Sequence, residues 1–208
     1  TPANSGLGSN FVFGVYADGA TVYAATGGGL GISTNGGATF TNRTTTNGLG
    51  SNIVSGVYAI GNTVYAATDG GGLGISTNGG TTFTNRTTTD GLGNNGVSGV
   101  YADGATVYAA TEGGLGISTD GGATFTTYTT ANSGLGNNAV YGVYADGGMV
   151  YAATRGGGLG ISTNGGATFT TRTTTNSGLG SNDVYGVYAD GATVYAATAG
   201  GLSISTDG

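Results

Sequence analysis

An Ile-Ser-Thr-Asn/Asp-Gly turn with its serine at Ser33 returns at Ser76, Ser118, Ser162 and Ser205, in steps of 43, 42, 44 and 43 residues. Self-similarity at that period constrains the fold more than any other feature of the chain. Five units, approximately 1–46, 47–89, 90–131, 132–175 and 176–208, make up one repeat domain. No stretch within a unit has helical periodicity long enough to predict a helix. The second unit instead predicts four short strands, over 53–59, 63–68, 73–76 and 81–87. They are separated by Gly61-Asn62, the glycines at 70–72 and the Asn-Gly-Gly at 78–80. Their Val, Ile, Tyr, Phe and Thr content suits a pleated, half-buried surface. Four antiparallel strands per roughly 40–45 residues is the period of a propeller blade. A lone four-stranded sheet leaves apolar residues exposed on both faces, and stacking blades side by side covers both. The expected fold is therefore all-β, a β-propeller of five near-identical blades. The 48 glycines among 208 residues, a composition that alone would suggest low complexity, become turn and close-packing positions.

Two stretches of the unit resemble known families. Ser33-Thr34-Asn35-Gly36-Gly37-Ala38-Thr39-Phe40 resembles the Asp-box, S-x-D-x-G-x-x-W/F, a hairpin motif of propellers that include sialidases, sortilin-type receptors and several lectins. Its aspartate position holds Asp120 and Asp207, and Asn35, Asn78 and Asn164 in the other units. The resemblance implies a structural role for these residues and for Ser33, Ser76, Ser118, Ser162 and Ser205. The stretch from Gly178-Leu179 to Gly201-Leu202 resembles the repeat of the sensor propellers outside the membrane in bacterial two-component regulators. Both families host several functions, so neither resemblance selects an activity.

The fifth unit reaches Gly208 inside its Ser-x-Asp turn, so the last blade is expected to lack its outermost strand. Two arrangements fit this count. One is a monomeric five-bladed ring closed by blade-to-blade packing, with self-association through the incomplete blade as a variant. The other is a longer array that closes with further blades or with other chains.

Comparison among units separates scaffold from variation. In a propeller, the turns after the first and third strands share one face, where the Asp-boxes and the Asp18, Asp103, Asp146 and Asp190 turns are nearly invariant. The opposite face is variable. After the Ala-Ala-Thr of the second strand come Gly27, Asp69, Glu112, Arg155 or Ala199, followed by glycines expected to make a flexible loop. At the entry to the first strand the units read Phe11, Ile53, Gly96, Ala139 and Asp183, and two residues later Phe13, Ser55, Ser98, Tyr141 and Tyr185. A recognition surface shows this pattern, and so does drift in exposed loops. Ten of thirteen tyrosines occupy two fixed strand positions and are expected in the core. Tyr128, Tyr141 and Tyr185 fall outside that pattern and are candidate ligand contacts, with Asp183, Asp69, Glu112, Arg155, Asn138 and Asn182 as further candidates. For the asparagines, capping of the loop-to-strand junction is the competing role.

Several chemistries are excluded by what the chain lacks. Without Cys or His there is no thiol nucleophile, no Ser-His-Asp triad and no histidine metal site, and no metal or other cofactor is expected. Four Arg and no Lys against ten acidic residues leave no polybasic surface for nucleic acid or lipid headgroups. No apolar run approaches the ~20 residues of a membrane span. Asp69 and Glu112 are the carboxylates that a glycoside-hydrolysis reading would pair on the variable face, and nothing shows that their separation suits that role. A sialidase-like arginine cluster cannot be mapped onto Arg43, Arg86, Arg155 and Arg172. The chain is accordingly expected to be non-enzymatic. The reading favoured by the residues is a lectin-like binding module for glycans, secreted or at a cell surface. The alternatives are a ligand-free or amplified repeat scaffold, or part of a larger surface or sensor protein.

Overall fold

The computed structural model describes residues 2–208. The first blade holds β1 (Val12–Asp18), β2 (Thr21–Thr26), β3 (Gly29–Ser33) and β4 (Thr41–Arg43). The second holds β5 (Val54–Ile60), β6 (Thr63–Thr68), β7 (Gly72–Ser76) and β8 (Thr84–Arg86). The third holds β9 (Val97–Asp103), β10 (Thr106–Thr111), β11 (Gly114–Ser118) and β12 (Thr126–Tyr128). The fourth holds β13 (Val140–Asp146), β14 (Met149–Thr154), β15 (Gly158–Ser162) and β16 (Thr170–Arg172). The fifth has three strands, β17 (Val184–Asp190), β18 (Thr193–Thr198) and β19 (Gly201–Ser205). Every blade is an antiparallel meander in chain order, so the fold is a five-bladed β-propeller whose last blade has three strands.

Local chemistry sets these boundaries. Asp18 pairs with Thr21 across a two-residue turn whose first residue, Gly19, has φ +57°, the glycine position of a II′ hairpin. The outermost strand is shorter than expected, Thr84–Arg86 rather than 81–87. Asn78 Oδ1 accepts hydrogen bonds from the N–H groups of Thr81 and Thr82, holding them in the turn. Single helical turns, absent from the sequence-based expectation, occupy the linkers between blades, as at Thr45–Asn47 and Thr130–Ser133. They form because Thr44 and Asn47 cap each other reciprocally, which is a local effect without periodicity.

The core is divided into four layers, one between each pair of consecutive blades. Between the third and fourth blades, Tyr108, Ala110, Leu115 and Ile117 meet Leu135, Val140, Val150 and Phe169. Close stacking depends on a glycine in each first strand: the position of a Cβ at Gly99 lies 3.1 Å from the Tyr141 carbonyl oxygen of the next blade. The second-strand tyrosines Tyr23, Tyr65, Tyr108 and Tyr151 are buried, as expected. Those of the first strands do something else. Tyr16, Tyr58, Tyr101, Tyr144 and Tyr188 form one continuous ladder with ring centroids 4.7–5.0 Å apart. Burial, followed by the neighbouring phenols, raises the pKa of Tyr101.

The ladder does not close. β1 packs beside β5, β5 beside β9, β9 beside β13 and β13 beside β17. Among the described residues, no comparable packing joins β17 to β1, so of the two arrangements that fit the sequence the closed five-blade ring is not the one found. Nearly identical blades carry no sequence signal for the angle between them, and that angle decides closure.

Candidate functional site

Backbone hydrogen bonds assign the loops to two faces. On one, Gly36 N–H donates to the Ala20 carbonyl, and Gly79, Gly121, Gly165 and Gly208 repeat the contact in their own blades. The Ser-x-Asn/Asp turns lie here. Ser33 Oγ–H donates to Asn35 Oδ1 at 2.8 Å and accepts from Gly37 N–H at 2.9 Å. Ser76 with Asn78 and Ser162 with Asn164 do the same, and Ser205 donates to Asp207. In the third blade, Asp120 accepts from Ser118 Oγ–H at 2.6 Å, Thr124 N–H at 3.0 Å and Thr124 Oγ1–H at 2.7 Å. The Ser118 hydroxyl first, then the Thr124 groups, hold its carboxyl well below the usual carboxylate range. A depressed folded pKa means that stability is present above the unfolded value of ~4 and lost as pH falls through the folded one. Asp120→Asn, which copies three of the other turns, is therefore expected to leave neutral-pH stability nearly unchanged and to flatten its loss below pH ~4. Denaturant midpoints of both proteins across that range read this out, and parallel acid limbs would contradict it.

The variable face is built by pairing. In every blade the variable residue after the second strand donates its N–H to the variable residue ahead of the first. The bonds are Gly27 to Phe11, Asp69 to Ile53, Arg155 to Ala139 and Ala199 to Asp183 at 3.0 Å, with Glu112 to Gly96 at 3.4 Å. Two positions about 16 residues apart in sequence are thus one place on the rim. The next variable position is the extra residue of a β-bulge: Val140 pairs with Thr154 and Gly142 with Ala153, leaving Tyr141 unpaired. Phe13, Ser55, Ser98 and Tyr185 occupy the same bulge. A bulge re-aims its side chain away from the regular pleat, a device common beside binding sites.

The loops carrying these residues are pinned, contrary to the flexible loop expected from their glycines. Buried Thr68 Oγ1–H donates to the Gly72 carbonyl at 2.6 Å, and Thr111 and Thr154 brace their loops likewise. Asn138 and Asn182 each accept through Oδ1 from a linker N–H, Thr130 at 2.8 Å and Thr174 at 2.9 Å. Those contacts are the capping role, and they fix the linker beside the rim.

The fourth and fifth blades bring most of the candidate residues together. Tyr141 and Tyr185 stack at 5.9 Å with planes 27° apart, Tyr185 being exposed. Asp183 Oδ1 reaches to 3.9 Å from the Cβ position of Gly156, next to exposed Arg155. Asp69 and Glu112 stand exposed on the second and third blades, and no described hydrogen bond links them to this cluster. The bulge is the feature that sequence reasoning missed, its only trace being variation between an invariant valine and an invariant glycine. A cavity of about 570 Å³ lies elsewhere, beneath β19 between Leu159, Ile161, Leu202 and Ile204.

The sequence matches no protein-family profile and no curated protein. Solved structures do match. The extracellular domains described for two hybrid two component systems of B. thetaiotaomicron superpose with TM-scores of 0.77 and 0.76 at 19% and 21% identity. Each match covers 95% of this chain, and 29% and 27% of theirs. A GH74 enzyme of Niastella koreensis matches with TM-score 0.61 at 28% identity, over 93% of this chain and 30% of the enzyme. The chain thus spans under a third of the length of these chains. The neighbours are extracellular domains of two component systems and an enzyme, a setting compatible with a binding propeller. Among the described residues, no helix is long and apolar enough to cross a membrane.

Proposed function

We propose that the chain is a non-catalytic, carbohydrate-binding propeller module that acts outside the cell, using the rim of the fourth and fifth blades. The observation carrying this reading is the Tyr141–Tyr185 stack beside Asp183 and Arg155, on loops that are already braced. Aromatic rings offer flat apolar area to the C–H faces of a sugar ring, while a carboxylate and a guanidinium supply directional bonds to its hydroxyls. Preorganised loops reduce the ordering cost that a small polar ligand would otherwise have to overcome. Differences among the rims favour one principal site over five equal ones. The extracellular domains among the structural neighbours support the location.

A glycan array and a polysaccharide-affinity column test the reading. The Tyr141→Ala/Tyr185→Ala double variant is expected to lose retention at least tenfold, equivalent to ~1.4 kcal/mol of binding. Its melting temperature should change by only a few degrees. Retention unchanged in the double variant, or no glycan retained by the parent chain, would end this reading.

A further inference from the structure

We propose that a second copy of this chain docks head to tail, its first blade covering the fifth blade of the first copy. This inference does not need the glycan reading, because it rests on the two ends of the arc and on where the bulge aromatics stand, not on what the rim binds.

Each blade has an outgoing and an incoming face, and the four internal layers show how they mate. On the outgoing face Leu30, Leu73 and Leu115 are fully buried, but the equivalent Leu202 is 64% exposed. Ile32, Ile75 and Ile117 are buried, and the equivalent Ile204 is 57% exposed. On the incoming face Val54, Val97, Val140 and Val184 are buried, and Val12 is 49% exposed. Val57 packs into the layer ahead of it, while its equivalent Val15 is 69% exposed. The chain therefore carries one unused copy of each half of an interface that it makes four times internally.

Close approaches tell the same story. Gly80, Gly122 and Gly166 each lie against the isoleucine Cδ1 of the preceding blade, whereas Gly37 has no such neighbour. In the first strands, Gly14, Gly56, Gly99 and Gly142 each face the bulge carbonyl of the next blade, and Gly186 faces open space. A shallow groove of about 260 Å³ marks that place, lined by Gly186, Val187, Tyr188, Tyr195, Ala197 and Leu202. Apart from Val187, whose equivalents pack into the layer ahead, these are outgoing positions that a following blade covers elsewhere.

The bulge position identifies the occupant as the chain's own first blade. Its residues run Phe13, Ser55, Ser98, Tyr141, Tyr185, so the aromatic members stand on the first, fourth and fifth blades. Head-to-tail docking makes them consecutive, placing Phe13 of the second copy after the Tyr141–Tyr185 stack. It would likewise extend the tyrosine ladder from Tyr188 to Tyr16 of the second copy. Contiguous exposed Phe11, Val12, Phe13 and Val15 make an apolar patch unusual for an isolated monomer. The contact is heterologous, so it generates a closed ring or an open filament and not a two-fold pair through like faces.

Light-scattering mass of the 208-residue chain, taken over rising concentration, is the experiment. The parent is expected at a multiple of one chain. Val15→Asp and Leu202→Asp, each blocking one half, should both fall to a single chain that still unfolds cooperatively, since both side chains are exposed in the single chain. Mixed one to one, they retain one intact pair of faces and should give a particle of two chains and no larger. A parent that is monomeric throughout, a single variant that associates like the parent, or a mixture that stays monomeric would each overturn the proposal. If an aspartate variant fails to fold, Phe13→Ser, which copies the second and third blades, and Leu202→Ser replace the pair in the same mixing test.

Discussion

Truncating Leu115 to alanine will cost about 2–5 kcal/mol of unfolding free energy, while the same truncation at Leu202 will cost less than ~0.5 kcal/mol. Both occupy the second residue of the third strand of their blades. Leu115 is completely buried in the layer made by Leu135, Val140 and Phe169, so removing its isobutyl group forfeits transfer energy and leaves a cavity. Leu202 is mostly exposed, so water fills the space at once. The pair should be compared in the Val15→Asp background, which keeps the chain monomeric whether or not copies dock. Denaturant titration reports both numbers. Equal losses would mean that the fifth blade's outer face is covered within one chain, and the open arc would be wrong.

That contrast shows where sequence reading succeeds and where it stops. The second strand of the second blade is found over Thr63–Thr68, as its Val-Tyr-Ala-Ala pattern requires. Blade number, strand order and the assignment of loops to faces follow from the period, because each unit must find its partner in the next. Closure does not follow. Leu115 and Leu202 have nearly the same local sequence, and only the packing angle, accumulated over five blades, decides that one is covered and the other is not. The fourth strand was over-long for a related reason: Thr81 and Thr82 have strand propensity, but the Asn78 side chain offers their N–H groups a better local partner.

The candidate site was legible as a set of variable positions, not as geometry. Position alone put Arg155 and Ala139 on one face, and their direct backbone bond became visible only in three dimensions. The bulge at Tyr141 required knowing how both strands register, since a single unpaired residue changes the face of its side chain without changing composition. Asn138 and Asn182 belonged to two roles in the sequence, and the structure supplies a capping partner for each. Tyr128, which replaces an arginine at the end of the third unit's outer strand, packs against the layer between the third and fourth blades.

Scaffold and rim can be separated experimentally at neighbouring positions of one loop. Gly71→Ala is expected to cost about 3 kcal/mol, the upper part of the range for overpacking, or to prevent folding. Its Cβ would fall 2.6 Å from both Ser51 N and the Gly50 oxygen, and closer still to the Gly50 carbonyl carbon. Both clashes are with backbone, which cannot rotate away as a side chain can. Gly79→Ala differs in mechanism: its φ of +68° strains an L-residue, but nothing lies within 4 Å, so the loss should be about 1–2 kcal/mol. Asp69→Arg, which installs the fourth blade's residue two positions before Gly71, should stay within ~0.5 kcal/mol because Asp69 is exposed. Thermal and denaturant unfolding of the three variants should therefore rank Gly71 far above Gly79, and Gly79 above Asp69. The same Gly-on-Gly approach recurs as Gly8 with Gly28, Gly93 with Gly113 and Gly136 with Gly157, so Gly113→Ala should reproduce the first result. A small loss at Gly71 would mean that the loop yields, and the rim at Asp69 would then lack the rigidity on which its use for recognition depends.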